Sequence, residues 1–327
     1  MSKFWLGIAC CLTAAMLLSL QFGAVPVSLQ WLWQTPSSEA QQLEAQILWQ
    51  LRLPRIALAF AAGSALALSG ALMQSISRNQ LADPYLFGLV SGAGVGIALQ
   101  QLCWPLEGWS LPLAAFLGAL AAACLVLACI HLSRQRSVLQ LLLAGIAVSF
   151  LLSSLLSLLL YLQSNLAAGK ILFWLMGSVA NASWSAAAHV TLTLCVSSLL
   201  LWRFRRELLA LSCSETFARS VGVAVGKVQL VSLLIVCALT AVTVAYCGGI
   251  ALVGLVIPQL CRLLVGAHLY RLLPASAMVG GIFLLLADTS SRLVLTNQEL
   301  PLGVVCSGAG AVCFLLLLLR SSKNHAG

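Results

Sequence analysis

Apolar residues run through this chain in stretches of membrane-span length, without the one-sided or alternating patterns of a soluble fold. Ten stretches can be marked, at about 4 to 23, 56 to 75, 86 to 104, 111 to 132, 138 to 163, 187 to 202, 228 to 248, 250 to 266, 273 to 295 and 303 to 320. A helix needs roughly 20 residues to cross the hydrocarbon core, so each stretch is a candidate crossing. The strands of a membrane β-barrel alternate polar and apolar positions, and no stretch here does so. The pattern predicts an all-α polytopic membrane protein with ten transmembrane helices. No connection is large enough for a second domain, so residues 1–327 are read as one transmembrane domain with both termini on the same side.

Charge is scarce: 8% of the 327 residues are Asp, Glu, Lys or Arg, where a soluble protein carries roughly a quarter, and 61% are hydrophobic. The net charge of +9 does not imply nucleic acid, because the cations lie singly or in short clusters at stretch ends. With the N-terminus in the cytoplasm, Lys3, Arg78, Arg134, Arg136, Arg203, Arg205, Arg206, Arg219, Lys227, Arg262, Arg271, Arg320 and Lys323 fall inside. Only Arg52, Arg55, Lys170 and Arg292 fall outside, thirteen against four of the 17 cations, and the reverse orientation would invert that bias. Glu39, Glu44, Glu107 and Glu299 also lie outside. Lys3 followed by the apolar run from Phe4 to Phe22 has the start of a signal peptide, and equally of a first span with a cytoplasmic N-terminus; it is read as retained.

Two connections are long. The outer one, about 24 to 50, holds Trp31, Trp33 and Pro36 and reads as an interfacial segment with tryptophans at headgroup depth. The inner one, RFRRELLALSCSETFARSVGVAVGK at about 203 to 227, is the most polar part of the chain. It breaks into two short helical pieces, with Gly222 and Gly226 as stops.

Little points to catalysis. The 12 cysteines are scattered through apolar stretches with no CxxC pair, so they read as small buried hydrophobes, and no metal site is predicted. No HExxH occurs, and His131, His189, His268 and His325 are too dispersed to form one site. GVAVGK at 222–227 approaches a nucleotide-binding loop but is one residue short, and Val228 stands where Ser or Thr would hold magnesium. Any ATP must therefore be hydrolysed by another chain. The one carboxylate well inside a stretch is Asp288, and Arg292 follows one helical turn later as its expected ion-pair partner. So little buried charge weakens the reading of an ion-coupled secondary transporter, and the missing nucleophile or metal constellation weakens that of an intramembrane enzyme.

Strings at the stretch ends carry a resemblance. LRLPR at 51–55, SRNQLADPYLFGLVSGAGVG at 77–96, VGLVIPQLCRLLVG at 253–266, ADTSSR at 287–292 and ELPLGV at 299–304 occur in consistent order and separation. In these the chain resembles the FecCD/BtuC-like permeases, membrane subunits of bacterial ATP-binding-cassette (ABC) importers for iron-siderophores, haem and vitamin B12. The likeness covers nearly the whole sequence.

That resemblance implies the type II ABC importer permease architecture in a bacterial inner membrane. It implies a second permease subunit in a homodimer or a close heterodimer, the homodimer being the main reading, two cytoplasmic ATPase subunits using ATP and Mg, and a periplasmic substrate-binding protein. The chain itself binds no cofactor on this reading. Arginines matching Arg52, Arg55 and Arg292 receive acidic residues of the binding protein, so reversing the charge at Arg55 is expected to weaken docking and leave assembly intact. SETFARSVGV at 214–223 resembles the coupling loop, with Ser214, Glu215, Ala218, Arg219 and Gly222 in a groove of the ATPase and Gly222 as the stop between its pieces. Asp83 and Pro84 read as the cap of the third span. The family usually has Pro where Gln80 stands and His where Gln259 stands. The implied cargo is a metal chelate moved by alternating access, and GSVANASW at 177–184 leans the reading toward a ferric siderophore over cobalamin or haem.

Overall fold

The computed structural model describes residues 2–22, 28–32, 34, 38–103, 110–132, 138–295 and 298–325. Trp33, Pro36, Glu107, Arg134 and Arg136 lie outside these. Among the described residues there is no strand, and the α-helices in chain order are α1 (Ser2–Gln21), α2 (Glu39–Gln46), α3 (Leu53–Ser77), α4 (Leu89–Cys103), α5 (Ser110–Leu132), α6 (Val138–Tyr161), α7 (Asn165–Leu175), α8 (Trp184–Arg203), α9 (Arg205–Cys213), α10 (Glu215–Ser220), α11 (Val225–Cys247), α12 (Val253–Val265), α13 (Leu269–Leu293) and α14 (Leu302–His325). Each of the ten apolar stretches lies on a helix. Seven of the helices are long and apolar enough to cross a membrane: α1, the continuous run of α2 and α3, α5, α6, α8, α11 and α13. The stretches at 86–104, 250–266 and 303–320 instead give shorter apolar helices, and α7, which sequence reading left in a connection, is a further short one.

α2 passes into α3 through a π-helical segment, Ile47–Arg52. Pro54 accounts for it. Its ring would collide with the carbonyl four residues back, so the preceding turn widens and the Leu53 N–H donates to Leu48 O. Beyond this point α3 reads LPRIALAFAAGSALALSGALMQSIS, apolar or small on every side, the pattern of a helix with no face toward solvent. The most apolar window of the α2–α3 run is accordingly 89% buried, against 22% for α1 and 28% for each of α5, α6 and α8.

α13, α11, α12 and α8 surround α3. Gly63 faces Gly280 of α13 and Gly70 faces Gly254 of α12, and a Cβ on either α3 glycine would overlap the partner's carbonyl. In lipid a leucine gains little by leaving its solvent, so backbone-distance packing of this kind is what associates helices. The outer helices turn apolar side chains outward, among them Leu117, Phe150, Leu199 and Leu316, as a hydrocarbon solvent permits. That corrects the cysteine expectation. Cys237, Cys247, Cys261 and Cys306 are buried, but Cys10, Cys11, Cys103, Cys124, Cys129, Cys195 and Cys213 are exposed. In a membrane protein an apolar neighbourhood along the sequence does not imply burial.

Several helix ends meet inside the bundle. α7 stops at Met176 and Gly177, α11 stops before Gly248, and α14 starts at Leu302. Ser178 N–H donates to Cys247 O at 2.8 Å, Leu302 N–H to Gly177 O at 2.9 Å and Gly303 N–H to Met176 O at 2.9 Å. Ile250 N–H donates to the Tyr85 hydroxyl at 3.1 Å. Irregular backbone within such a bundle is tolerated where protein groups satisfy it, and here each broken helix satisfies another.

Overpacking separates close-contact glycines from free ones. Gly63→Leu is expected to cost about 1–3 kcal/mol or more and to lower the melting temperature in detergent. Gly7→Leu, where nothing lies within 4 Å of the added Cβ, should leave it nearly unchanged. Equal melting temperatures for the two variants would refute this account of the packing.

Candidate functional site

Arg52 and Arg55 sit at the N-terminal end of α3, and Asp288 and Arg292 near the C-terminal end of antiparallel α13. The Arg55 guanidinium serves two carboxylates at once. Its Nε donates to Asp288 Oδ1 at 3.1 Å and its Nη2 to the same oxygen at 2.8 Å. Its outer edge, Nη1 and Nη2, donates to Glu299 Oε1 and Oε2, each at 2.9 Å. Arg292 Nη2 lies 3.3 Å from Asp288 Oδ2. The spacing of four residues therefore brings Asp288 and Arg292 together, but the tighter partner is Arg55, 233 positions away.

Asp288 is 1% exposed, and a carboxylate so buried is stable as an ion only with compensating charge and hydrogen bonds. Glu299 is 44% exposed on the link into α14. The hydrogen bond from Arg55 holds its carboxyl below the usual range, against a smaller opposing effect of partial burial, and the charge of Arg292 adds to the lowering. The other two arginines also have internal acceptors. Arg292 donates to Phe22 O at 2.9 Å and to Ser19 Oγ at 2.9 Å, and Arg52 donates to Leu20 O. They supply the orphan carbonyls at the C-terminal end of α1 with donors and with positive charge, both of which that end of a helix favours. All three arginines proposed from the sequence are thus brought to one end, and none projects as a bare cation. Arg55→Glu would set a third carboxylate beside Asp288 and Glu299, which is a reason to expect that variant to disturb the packing of α3 on α13 as well as docking.

Tryptophans brace the same end. Trp31 Nε1 donates to Glu44 Oε2 at 2.8 Å, Trp49 Nε1 to Trp31 O at 3.1 Å and Trp184 Nε1 to Trp49 O at 3.0 Å. Trp31 is buried, so its ring packs against protein.

The opposite end of α3, roughly 35 Å away by helix rise, meets the segment expected to couple. α9 and α10 are its two pieces. The break between them is Ser214, whose side chain accepts the Phe217 N–H at 2.9 Å and caps α10. Gly222 ends α10 with φ +80°, a conformation that favours glycine, so it follows the second piece and does not divide the two. Gly226 is no stop at all, lying in the first turn of α11. Glu215 lies 3.9 Å from Arg78 of the α3 terminus and 4.0 Å from Arg219, and accepts from Gln229 of α11 at 3.2 Å. Ala218 is buried against the bundle, whereas Phe217 and Val221, four residues apart, are exposed. Sequence reading passed over these two, although apolar residues in the most polar connection were the available signal.

Asp83 accepts the Tyr85 N–H at 2.8 Å and caps a single 3-10 turn, Pro84–Phe87, so it does not cap α4, which begins only after Gly88. Gln259 Nε2 donates to Gln80 O at 2.7 Å, so the two positions that depart from the family pattern touch each other. A proline at 80 would still present that carbonyl.

Residues 11–320 match the FecCD transport family. The chain belongs to that family. It is 38% identical over 298 residues to the vitamin B12 import system permease protein BtuC of Pectobacterium atrosepticum, covering 89% of this chain and 87% of that one. The corresponding protein of Salmonella typhi is 36% identical over 297 residues, 89% of each chain. A solved metal-chelate type ABC transporter in an inward-facing conformation superposes with a TM-score of 0.88 at 31% identity, covering 98% of this chain and 100% of that one. PsaBC from Streptococcus pneumoniae, at a TM-score of 0.61 and 17% identity over 85% of this chain and 95% of that one, shares the fold. This FecCD-family chain is thus a multi-pass permease subunit of an ABC importer.

Two outcomes test the charged end of this FecCD permease. Arg55→Leu should destabilise the protein by about 3–5 kcal/mol by stripping Asp288 of its better partner, and adding Asp288→Leu should restore much of the loss; no recovery in the double variant's detergent melting temperature would argue against the pairing. Glu299, facing Arg55 and Arg292 with Asp288 behind, has a lowered folded-state pKa. Its stabilisation is therefore present above the ordinary glutamate value of about 4.3 and lost as pH falls through the lowered one. The melting-temperature gap between parent and Glu299→Gln at pH 7 should narrow as pH falls below the ordinary glutamate value, and a pH-independent gap would contradict the contact.

Proposed function

We propose that this permease moves vitamin B12 or a similar corrinoid inward across a bacterial inner membrane. The observation that carries this reading is the 36–38% identity, over 89% of the chain, to permeases of vitamin B12 import systems. The lean of GSVANASW toward ferric siderophores is set aside. Within that segment, Gly177 O and the Ser178 N–H are bonded to α14 and to the end of α11, so the meeting of helix ends accounts for its sequence without reference to cargo. A metal chelate such as a ferric siderophore or haem is the second reading, favoured by the metal-chelate type of the superposing transporter.

In this proposal ten helices cross the membrane, the short ones completed by the broken segments that meet between them, and both termini are cytoplasmic. The positive-inside bias supports that orientation. A second copy of the permease completes the translocation path. The arginine end faces the periplasm, where a substrate-binding protein docks with acidic residues. α9 and α10 face the cytoplasm, and Phe217 and Val221 enter grooves of two ATPase subunits. ATP and Mg are used there, and no catalytic residue or resident cofactor is assigned to this chain. α3, which touches both ends, is the body through which ATPase closure and periplasmic opening are linked.

Vesicles holding the permease with its ATPases and binding protein should take up labelled cyanocobalamin when ATP is supplied, in preference to ferric siderophore or haem. Preference for an iron chelate would overturn the cargo, and ATP-independent uptake would overturn the importer. Gly222→Pro, which forbids φ +80°, should leave ATP hydrolysis running while cutting uptake per ATP at least tenfold. Equal coupling ratios would count against the coupling role.

A further inference from the structure

Resting on the docking reading above, we propose that Glu299 is an internal stand-in for the binding protein's carboxylate, holding the outward edge of Arg55 until an acidic residue of the partner exchanges with it. The geometry separates the two carboxylates of Arg55. Asp288 takes the Nε side and is 1% exposed, so it is a fixed anchor whose release would strand a buried charge. Glu299 takes the Nη1–Nη2 edge and is 44% exposed, so water and an incoming group reach it. That edge is the fork that pairs in two parallel bonds with a carboxylate. A docking acid therefore finds it occupied by its own chemical equivalent.

The exchange is nearly balanced. One carboxylate replaces another, Arg55 keeps Asp288, and a half-exposed ion pair contributes less to stability than the buried one beside it. The stand-in also keeps the Arg55 fork oriented while no partner is bound. Glu299 lies three residues before α14, next to Leu300, whose N–H donates to Ser291 O at 3.2 Å. Displacing it therefore acts on the link that leads directly into a helix.

The test uses the assembled permease–ATPase complex in nanodiscs, with the purified vitamin B12-binding protein of the same cells as probe. In parent, Glu299→Gln and Glu299→Ala, the rate of Arg55 modification by phenylglyoxal is read by peptide mass spectrometry and the association rate of the probe by surface plasmon resonance. Glu39→Gln, which removes the same charge from an exposed position of α2, controls for general attraction. Both Glu299 variants should raise Arg55 labelling and probe association at least threefold, and Glu39→Gln should raise neither by that much. Unchanged labelling, or faster labelling with unchanged or weaker docking, would overturn the stand-in role. Arg55→Lys, which keeps a charge for Asp288 but lacks the fork, separates the two ideas: it should weaken docking about tenfold. If docking is unaffected by Arg55→Lys, the docking reading itself fails, whatever the labelling shows.

Discussion

Asp288 requires positive charge around it, and the way that charge is supplied arranges four parts of the chain. An isolated carboxylate among helices would be neutralised at a cost of several kcal/mol. Here α3 contributes Arg55 and α13 contributes Arg292. Arg292 spends its remaining donors on the end of α1, and Arg55 spends its own on the link before α14. One ionised oxygen pair thus fixes where α1 ends, how α3 meets α13 and how the chain enters α14. The sparing use of charge elsewhere makes this cluster the place where ion pairs join the largest number of the described helices.

Dispersion does the rest through small residues. Gly63, Gly70, Gly254 and Gly280 bring α3, α12 and α13 to backbone contact, and a rod held so closely moves as a unit with its neighbours. The irregular stretches lie elsewhere, where α7, α11 and α14 exchange backbone hydrogen bonds. The bundle therefore has a stiff axis between its two charged ends and, beside it, a region whose backbone bonds join loops and helix ends. Rigid-body motion of helices about such breaks is one of the established routes for opening a path through a bundle.

Much of this was legible in the sequence because membrane solvation is a blunt constraint. Whole apolar stretches marked the helices, and the family resemblance picked Arg52, Arg55 and Arg292 out of the four cations that the charge bias placed outside. The misses share a cause. Hydropathy reports what a segment is surrounded by and not how long its helix stays regular, so α12 was read as a full span although the chain breaks at Gly248. α7 was passed over because it is short and carries Lys170. Local spacing found Asp288 with Arg292 but could not see Arg55, and Glu299 was counted as an outer acid without a role. Gly226 was read as a stop from residue type alone, whereas an exposed glycine in the first turn of a helix costs too little to end it.

The spacing of Asp288 and Arg292 bears on how the protein enters its membrane. Segments are inserted in order of synthesis, and α13 arrives after α3 is already in place. Because its acid and a counter-charge lie one turn apart on the same helix, α13 can leave the translocation channel as a locally neutral unit, before any packing with α3 has formed. The two arginines thus play different parts: the near one in sequence lets the acid be compensated within its own helix, and the distant one ties that helix to α3.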